Sequence, residues 1–141
     1  MQKIKYLKSG AMSESSLQKA VLQWANLHPQ LKNAVIHIPN EGKRTSHYGK
    51  PLKDMGMRRG VSDLFIALQR HGYGGAWIEL KSKDGVLSQA QEVFLNDMAM
   101  HGYFTHTCYS LDEAIKIIPN NSLSISPSFM GKIRNSSFSF S

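Results

Sequence analysis

The sequence predicts a single α/β domain, and three observations carry that expectation. A chain of 141 residues, 41% hydrophobic and 19% charged, is of ordinary globular composition and long enough to bury one core. Apolar residues recur at helical spacing in two separate segments. Short apolar or β-branched runs, closed by glycine and proline, lie between and after them as strands do. In chain order the elements read α, β, loop, β, β, α, β, α.

After a basic lead-in over residues 1–12, Leu17, Ala20, Val21, Trp24 and Ala25 follow the helical period. Ser13 or Ser15 serves as N-cap and His28-Pro29 as the stop, giving an amphipathic helix of roughly four turns. Ala34 to Ile38 is short, β-branched and closed by Pro39-Asn40, and is predicted as a strand. A loop rich in glycine and basic residues follows, with one helical turn around Leu52 to Met55. Asp63 to Leu68 and Ala76 to Lys81 are strands joined through His71-Gly72-Tyr73-Gly74-Gly75, a hairpin signal that makes them antiparallel neighbours. Ser88 to Met100 is a second helix with Gly102 at its C-terminal end, Tyr103 to Tyr109 a further strand, and Leu111 to Ile117 a short helix. The domain therefore spans residues 13–119. Eight of the 22 residues of the tail, 120–141, are serine, with Phe129, Ile133, Phe138 and Phe140 scattered among them.

Lysine and arginine number 17 against 10 acids, a net charge of +7, which favours a polyanionic partner such as nucleic acid. The excess is local. Six basic residues, Lys43, Arg44, Lys50, Lys53, Arg58 and Arg59, fall in one stretch with a single acid, Asp54. Its glycines and proline let backbone approach a ligand while the basic side chains neutralise phosphates. Tyr48, within it, is the aromatic placed to stack on nucleic acid. No apolar run approaches the ~18 residues of a membrane span, and the N-terminus lacks an apolar signal core, so neither membrane insertion nor secretion is expected. The single Cys108 has no internal disulfide partner, and a reducing cytoplasmic setting is the default.

Chemistry concentrates on the second and third strands. Glu79 and Lys81, two residues apart, project to one face, with Ile78 and Leu80 on the other, and the hairpin brings Asp63 beside them. Burying a carboxylate and an ammonium is costly unless they serve each other or a ligand. Two adjacent carboxylates raise each other's pKa, a situation a divalent cation relieves, and hard oxygen donors suit Mg²⁺ or Mn²⁺. Lys81 can then orient or help deprotonate a water aimed at phosphorus. On spacing alone, a surface Glu79–Lys81 pair on an edge strand fits equally.

Four blocks resemble the VRR-NUC family, a branch of the PD-(D/E)xK nuclease superfamily: Ile38-Pro39-Asn40-Glu41-Gly42-Lys43-Arg44, Gly60-Val61-Ser62-Asp63-Leu64, Ile78-Glu79-Leu80-Lys81 and Leu87-Ser88-Gln89-Ala90-Gln91. They come in the family's order. The resemblance implies a restriction-endonuclease-like core, with a mixed central sheet flanked by helices. It also implies a metal-dependent phosphodiesterase in which Asp63, Glu79 and the Leu80 carbonyl bind the cation and Lys81 acts at the nucleophilic water. Ser62 stands where the family usually has proline. The small stand-alone members that this chain resembles, often from phages, act as homodimers on branched DNA such as four-way junctions. The same expectation thus extends to this chain, in the cytoplasm of a bacterial cell or phage-infected host.

Glu14 and Gln91 each carry two readings. Glu14 lies beside the inward face of the first helix and could reach the cation, as a glutamate does in the family, or could serve only the helix dipole. Gln91 could close a capping box on Ser88, or touch the nucleophilic water or a phosphate as the resemblance suggests, and these roles compete for one amide. The six histidines show neither HExxH nor a cysteine at zinc spacing, so structural zinc is not expected. Trp24, Trp77 and Phe94 sit in periodic apolar segments and are assigned to the core. Two other functions stay open on the residues alone: a non-catalytic DNA-binding protein with a vestigial acidic site, and a protein-interaction module.

Overall fold

A computed structural model describes residues 12–39 and 51–119. Lys43, Arg44, Tyr48 and Lys50, the lead-in through residue 11 and the serine-rich tail lie outside the described residues. Helix α1 (Glu14–Asn26) precedes strands β1 (Val35–His37), β2 (Leu64–Ile66) and β3 (Ala76–Leu80); helix α2 (Gln89–Met100), strand β4 (Phe104–Cys108) and helix α3 (Leu111–Ile117) follow. This is the order read from the sequence. Strand ends fall within two residues of the expected limits, the usual play at element boundaries.

The sheet order is β1-β2-β3-β4. Strands β1, β2 and β3 pair antiparallel, while β3 and β4 pair parallel through the α2 crossover, making a mixed sheet. The β2–β3 connection includes a tight turn at His71-Gly72, with φ of 52° and 84°, across which Arg70 and Tyr73 exchange backbone hydrogen bonds of 3.2 and 2.9 Å. Two successive positive φ values are what a type I′ turn requires, and glycine supplies one without strain.

Ser13 caps α1, its hydroxyl accepting from Ser16 N at 3.1 Å. The buried face of α1 is the predicted set, Leu17, Ala20, Val21, Trp24 and Ala25. It packs with α3 and with Leu64, Ile66, Ala76, Ile78 and Leu80 of the sheet into one apolar core. On the other face, Trp77 meets Phe94 of α2 edge to face, ring centroids 5.0 Å apart, and Phe65 and Tyr103 complete the aromatic cluster. Trp24 thus joins the core as expected, whereas Trp77 and Phe94 are only half-buried, beneath and within a helix that covers the sheet incompletely.

Candidate active site

The hydrogen-bonding register brings the acidic residues together. Leu64 pairs with Ile78, so Asp63, one step before β2, lies beside Glu79. Asp63 is held from both sides of its peptide: its carbonyl accepts from Ile38 N at 2.9 Å and contacts the His37 ring at 3.0 Å, and its carboxylate Oδ2 accepts from Leu80 N at 2.8 Å. Strand β3 is internal to the sheet. Helices lie over both of its faces, one of them incompletely, and Glu79 is only 2% exposed and Lys81 8%. The surface-pair reading of these two residues therefore falls.

Lys81 Nζ lies 3.7 Å from Glu79 Oε1 and 3.6 Å from Glu14 Oε1, so α1 delivers its first-turn acid to the end of β3. One ammonium thus faces three carboxyls, those of Glu14, Asp63 and Glu79, and cannot balance them. Glu79 Oε2 is buried and, among the described residues, accepts from no N–H group. Burial, reinforced by the Asp63 charge, pushes the Glu79 carboxyl up to about 8, with Lys81 pulling the other way. Asp63 is raised as well, by burial first, against the opposing Leu80 N–H. A buried, proton-hungry pair of hard oxygen donors with one oxygen unused fits a divalent cation.

Gln91 closes the capping box and also reaches the acidic cluster. Its Oε1 accepts from Ser88 N at 2.9 Å while Ser88 Oγ accepts from Gln91 N at 3.2 Å, closing the capping box. Its Nε2 donates to Glu79 Oε1 at 2.7 Å. The oxygen and nitrogen ends of the one amide thus face different partners. Trp77 and Glu79 are two apart on β3, Phe94 and Gln91 three apart on α2, and the pairs match across the layer.

The VRR-NUC domain family profile matches residues 4–112, a span that includes Glu14, Asp63, Glu79, Lys81 and Gln91. The chain belongs to the VRR-NUC family. A solved structure described as a VRR_NUC domain protein superposes with a TM-score of 0.68 over 78% of this chain and 88% of that one, at 24% identity. The shared fold is the restriction-endonuclease-like mixed sheet flanked by helices, and the family makes the function nuclease-type. No curated protein matches the sequence.

The basic residues of this VRR-NUC domain divide. Lys53, Arg58 and Arg59 are exposed, and Arg58 and Arg59 line a cleft of about 440 Å³ with Gln89, Ala90, Val93, Phe94 and Asp97 of α2. Lys43, Arg44, Tyr48 and Lys50 lie outside the described residues. Gly60 has its own role: with φ of 79° it sits so close to α2 that a Cβ would lie 2.3 Å from Ala90 O and 2.8 Å from Gln91 N. The glycine three residues before Asp63 therefore seats the helix that carries Gln91. Among the described residues no helix is long and apolar enough to cross a membrane.

Proposed function

We propose that this VRR-NUC domain is a Mg²⁺- or Mn²⁺-dependent endodeoxyribonuclease, hydrolysing phosphodiester bonds in branched DNA such as four-way junctions. The observation that carries the reading is the buried Glu79 carboxyl, one oxygen without a donor, beside Asp63 and 3.7 Å from Lys81. Asp63, Glu79, the Leu80 carbonyl and Glu14 would hold the cation. When bound, it neutralises the carboxylates, polarises the scissile phosphate and lowers the pKa of a nearby water.

The chain's own residues do the rest. Asp63, pinned by Leu80 N–H, presents a fixed oxygen. Lys81 places a positive charge over the carboxyl cluster, where it orients the attacking water and offsets charge developing on phosphorus. Gln91 restrains Glu79 through its amide nitrogen, whose other N–H would face the water or a phosphate oxygen. Lys43, Arg44, Lys50, Lys53, Arg58 and Arg59 track the phosphate backbone and Tyr48 stacks on a base.

A homodimer fits this chemistry, because symmetrical resolution of a four-way junction needs two cuts and one chain carries one acidic site; a closed two-fold pair supplies both. Incubating linear, flap and four-way-junction DNA with Mg²⁺, Mn²⁺ or EDTA and resolving the products tests the function. Junction cleavage that stops in EDTA is the expected result, whereas tight binding with no metal-dependent product would leave a DNA-binding protein instead. Light scattering with and without junction DNA reads the dimer against the 15.8 kDa of one chain.

A further inference from the structure

We propose that His106, Cys108 and Glu113 form a second cation site, built for Zn²⁺ or a similar transition metal and separate from the acidic site. Nε2 or Nδ1 of His106, Sγ of Cys108 and a Glu113 carboxylate oxygen all lie within 4.8 Å of one another. His106 and Cys108 are two apart on β4, so both project to the face bearing Ile78 and Leu80, their register partners. Glu79 and Lys81 project to the opposite face. The sheet itself therefore separates the two clusters, and the inference stands independently of the nuclease reading.

Two of the three donors are already oriented. The Glu113 carboxylate accepts from Tyr109 N through Oε2 at 2.9 Å, leaving Oε1 toward His106 Nε2 at 2.8 Å. Ser110 caps α3 by accepting from Glu113 N at 3.2 Å, which fixes the turn that brings this residue back over β4. The His106 ring stacks on Phe104, two residues earlier, with an interplanar angle of 6° and centroids 6.1 Å apart. Ligands of a metal are characteristically held by such outer contacts. The side chains of His106 and Glu113 are 30% and 32% exposed, which gives a cation a route in and leaves room for water as a fourth ligand, while Cys108 closes the inner side.

The donor set selects the metal. Thiolate, imidazole and carboxylate together suit Zn²⁺ and Co²⁺, whereas Mg²⁺ takes oxygen donors and discriminates against sulfur. Binding replaces the S–H bond of Cys108 by a sulfur–metal bond, and the thiol proton leaves to solvent. The His106–Glu113 hydrogen bond opens to admit the ion. Because β4 bonds along β3 and α3 packs on the core, an ion here clamps α3 to the sheet.

Co²⁺ is the spectroscopic probe. The full chain, reduced, freed of metal and supplied with excess Mg²⁺, is titrated with Co²⁺ and then challenged with Zn²⁺. A thiolate-to-cobalt charge-transfer band that saturates at one equivalent and is displaced by Zn²⁺ is expected. The band should vanish in Cys108→Ser and persist in Asp63→Asn. His106→Gln and Glu113→Gln, at half-exposed positions, should each weaken Co²⁺ binding by roughly tenfold or more. Circular dichroism establishes that each variant folds, and if Cys108→Ser does not, the His106 and Glu113 variants decide. Absence of the band from the folded wild-type chain, or an affinity unchanged by both of those substitutions, overturns the proposal.

Discussion

Gln91 donates its side-chain nitrogen to Glu79 at 2.7 Å while its oxygen closes the cap of the helix whose first turn it occupies. The two ends of this amide separate stability from chemistry. Gln91→Glu keeps a capping oxygen but sets a carboxylate against Glu79, so it should lower cleavage by about tenfold or more while the helix persists. Ser88→Ala should do the reverse, lowering stability by about 0.5–2 kcal/mol with cleavage close to wild type. Urea unfolding and single-turnover cleavage on both variants check this; equal activity loss in the two would show that the Glu79 contact has no separate role.

Asp63→Asn retains an oxygen for Leu80 N–H and removes one of the two crowded carboxylates. Metal-free stability should therefore hold or rise, while cleavage falls below detection. Asp63→Ala abandons the buried Leu80 N–H and should cost about 1–3 kcal/mol besides. Lys81→Met keeps the apolar stem and removes the charge, reducing cleavage by roughly 10²-fold or more with DNA affinity retained. Near-normal cleavage by both Asp63→Asn and Lys81→Met across a metal titration would end the site assignment.

Glu79 dictates an unusual pH dependence for the metal-free protein. Its carboxyl is pushed from the ordinary 4.5 up to about 8 in the fold. Between those values the folded state holds a proton that the unfolded chain has released, so stability falls as pH rises through this window. Asp63, also raised, acts in the same direction. Urea midpoints in EDTA should decline from pH 5 to pH 8, Glu79→Gln should flatten the decline, and Mg²⁺ should reduce it by favouring the ionised carboxylates. A flat wild-type profile in EDTA would contradict the buried-carboxyl account.

Replacing Lys43, Arg44, Arg58 and Arg59 together should weaken DNA binding and flatten its dependence on salt, since each phosphate contact contributes about −0.9 to the log–log slope on duplex DNA. Fluorescence anisotropy across a salt series reads the slope. If it does not change, the DNA follows another path.

Ser62 is fully buried and its hydroxyl has no hydrogen-bond partner among the described residues. Ser62→Ala should raise stability by about 1 kcal/mol, because it removes an unsatisfied polar group from the core. A decrease in the urea midpoint would mean that the hydroxyl is satisfied in solution.

The sequence was most readable where one local pattern determined the outcome. The five inward residues of α1 follow the helical period, and His71-Gly72 turns where glycine permits positive φ. Asp63, Glu79 and Lys81 converge because strand alternation and a hairpin leave them few other arrangements. Gln91 was only half readable. Which end of its amide meets which partner depends on α2 lying across β3, a tertiary fact with no local signal. His106, Cys108 and Glu113 share no spacing signal along the chain. Glu113 reaches the other two only when α3 folds back over β4. Gly60 was legible as a motif member, but its seat against Ala90 was not.

Strand β3 is bonded along both flanks, antiparallel to β2 and parallel to β4, and it carries Glu79 at a nearly sealed position. Residues in such a setting have little freedom to follow a ligand. Under the nuclease reading, the bending needed to bring a phosphate to these carboxylates must come from the nucleic acid. Intact duplex resists, with a persistence length of about 50 nm, whereas a branch point offers strands that can swivel and unstack at lower energy. Substrate choice would then follow from mechanical compliance as well as from charge, and relaxing a junction by nicking one arm should speed cutting even though it adds no contact to the protein.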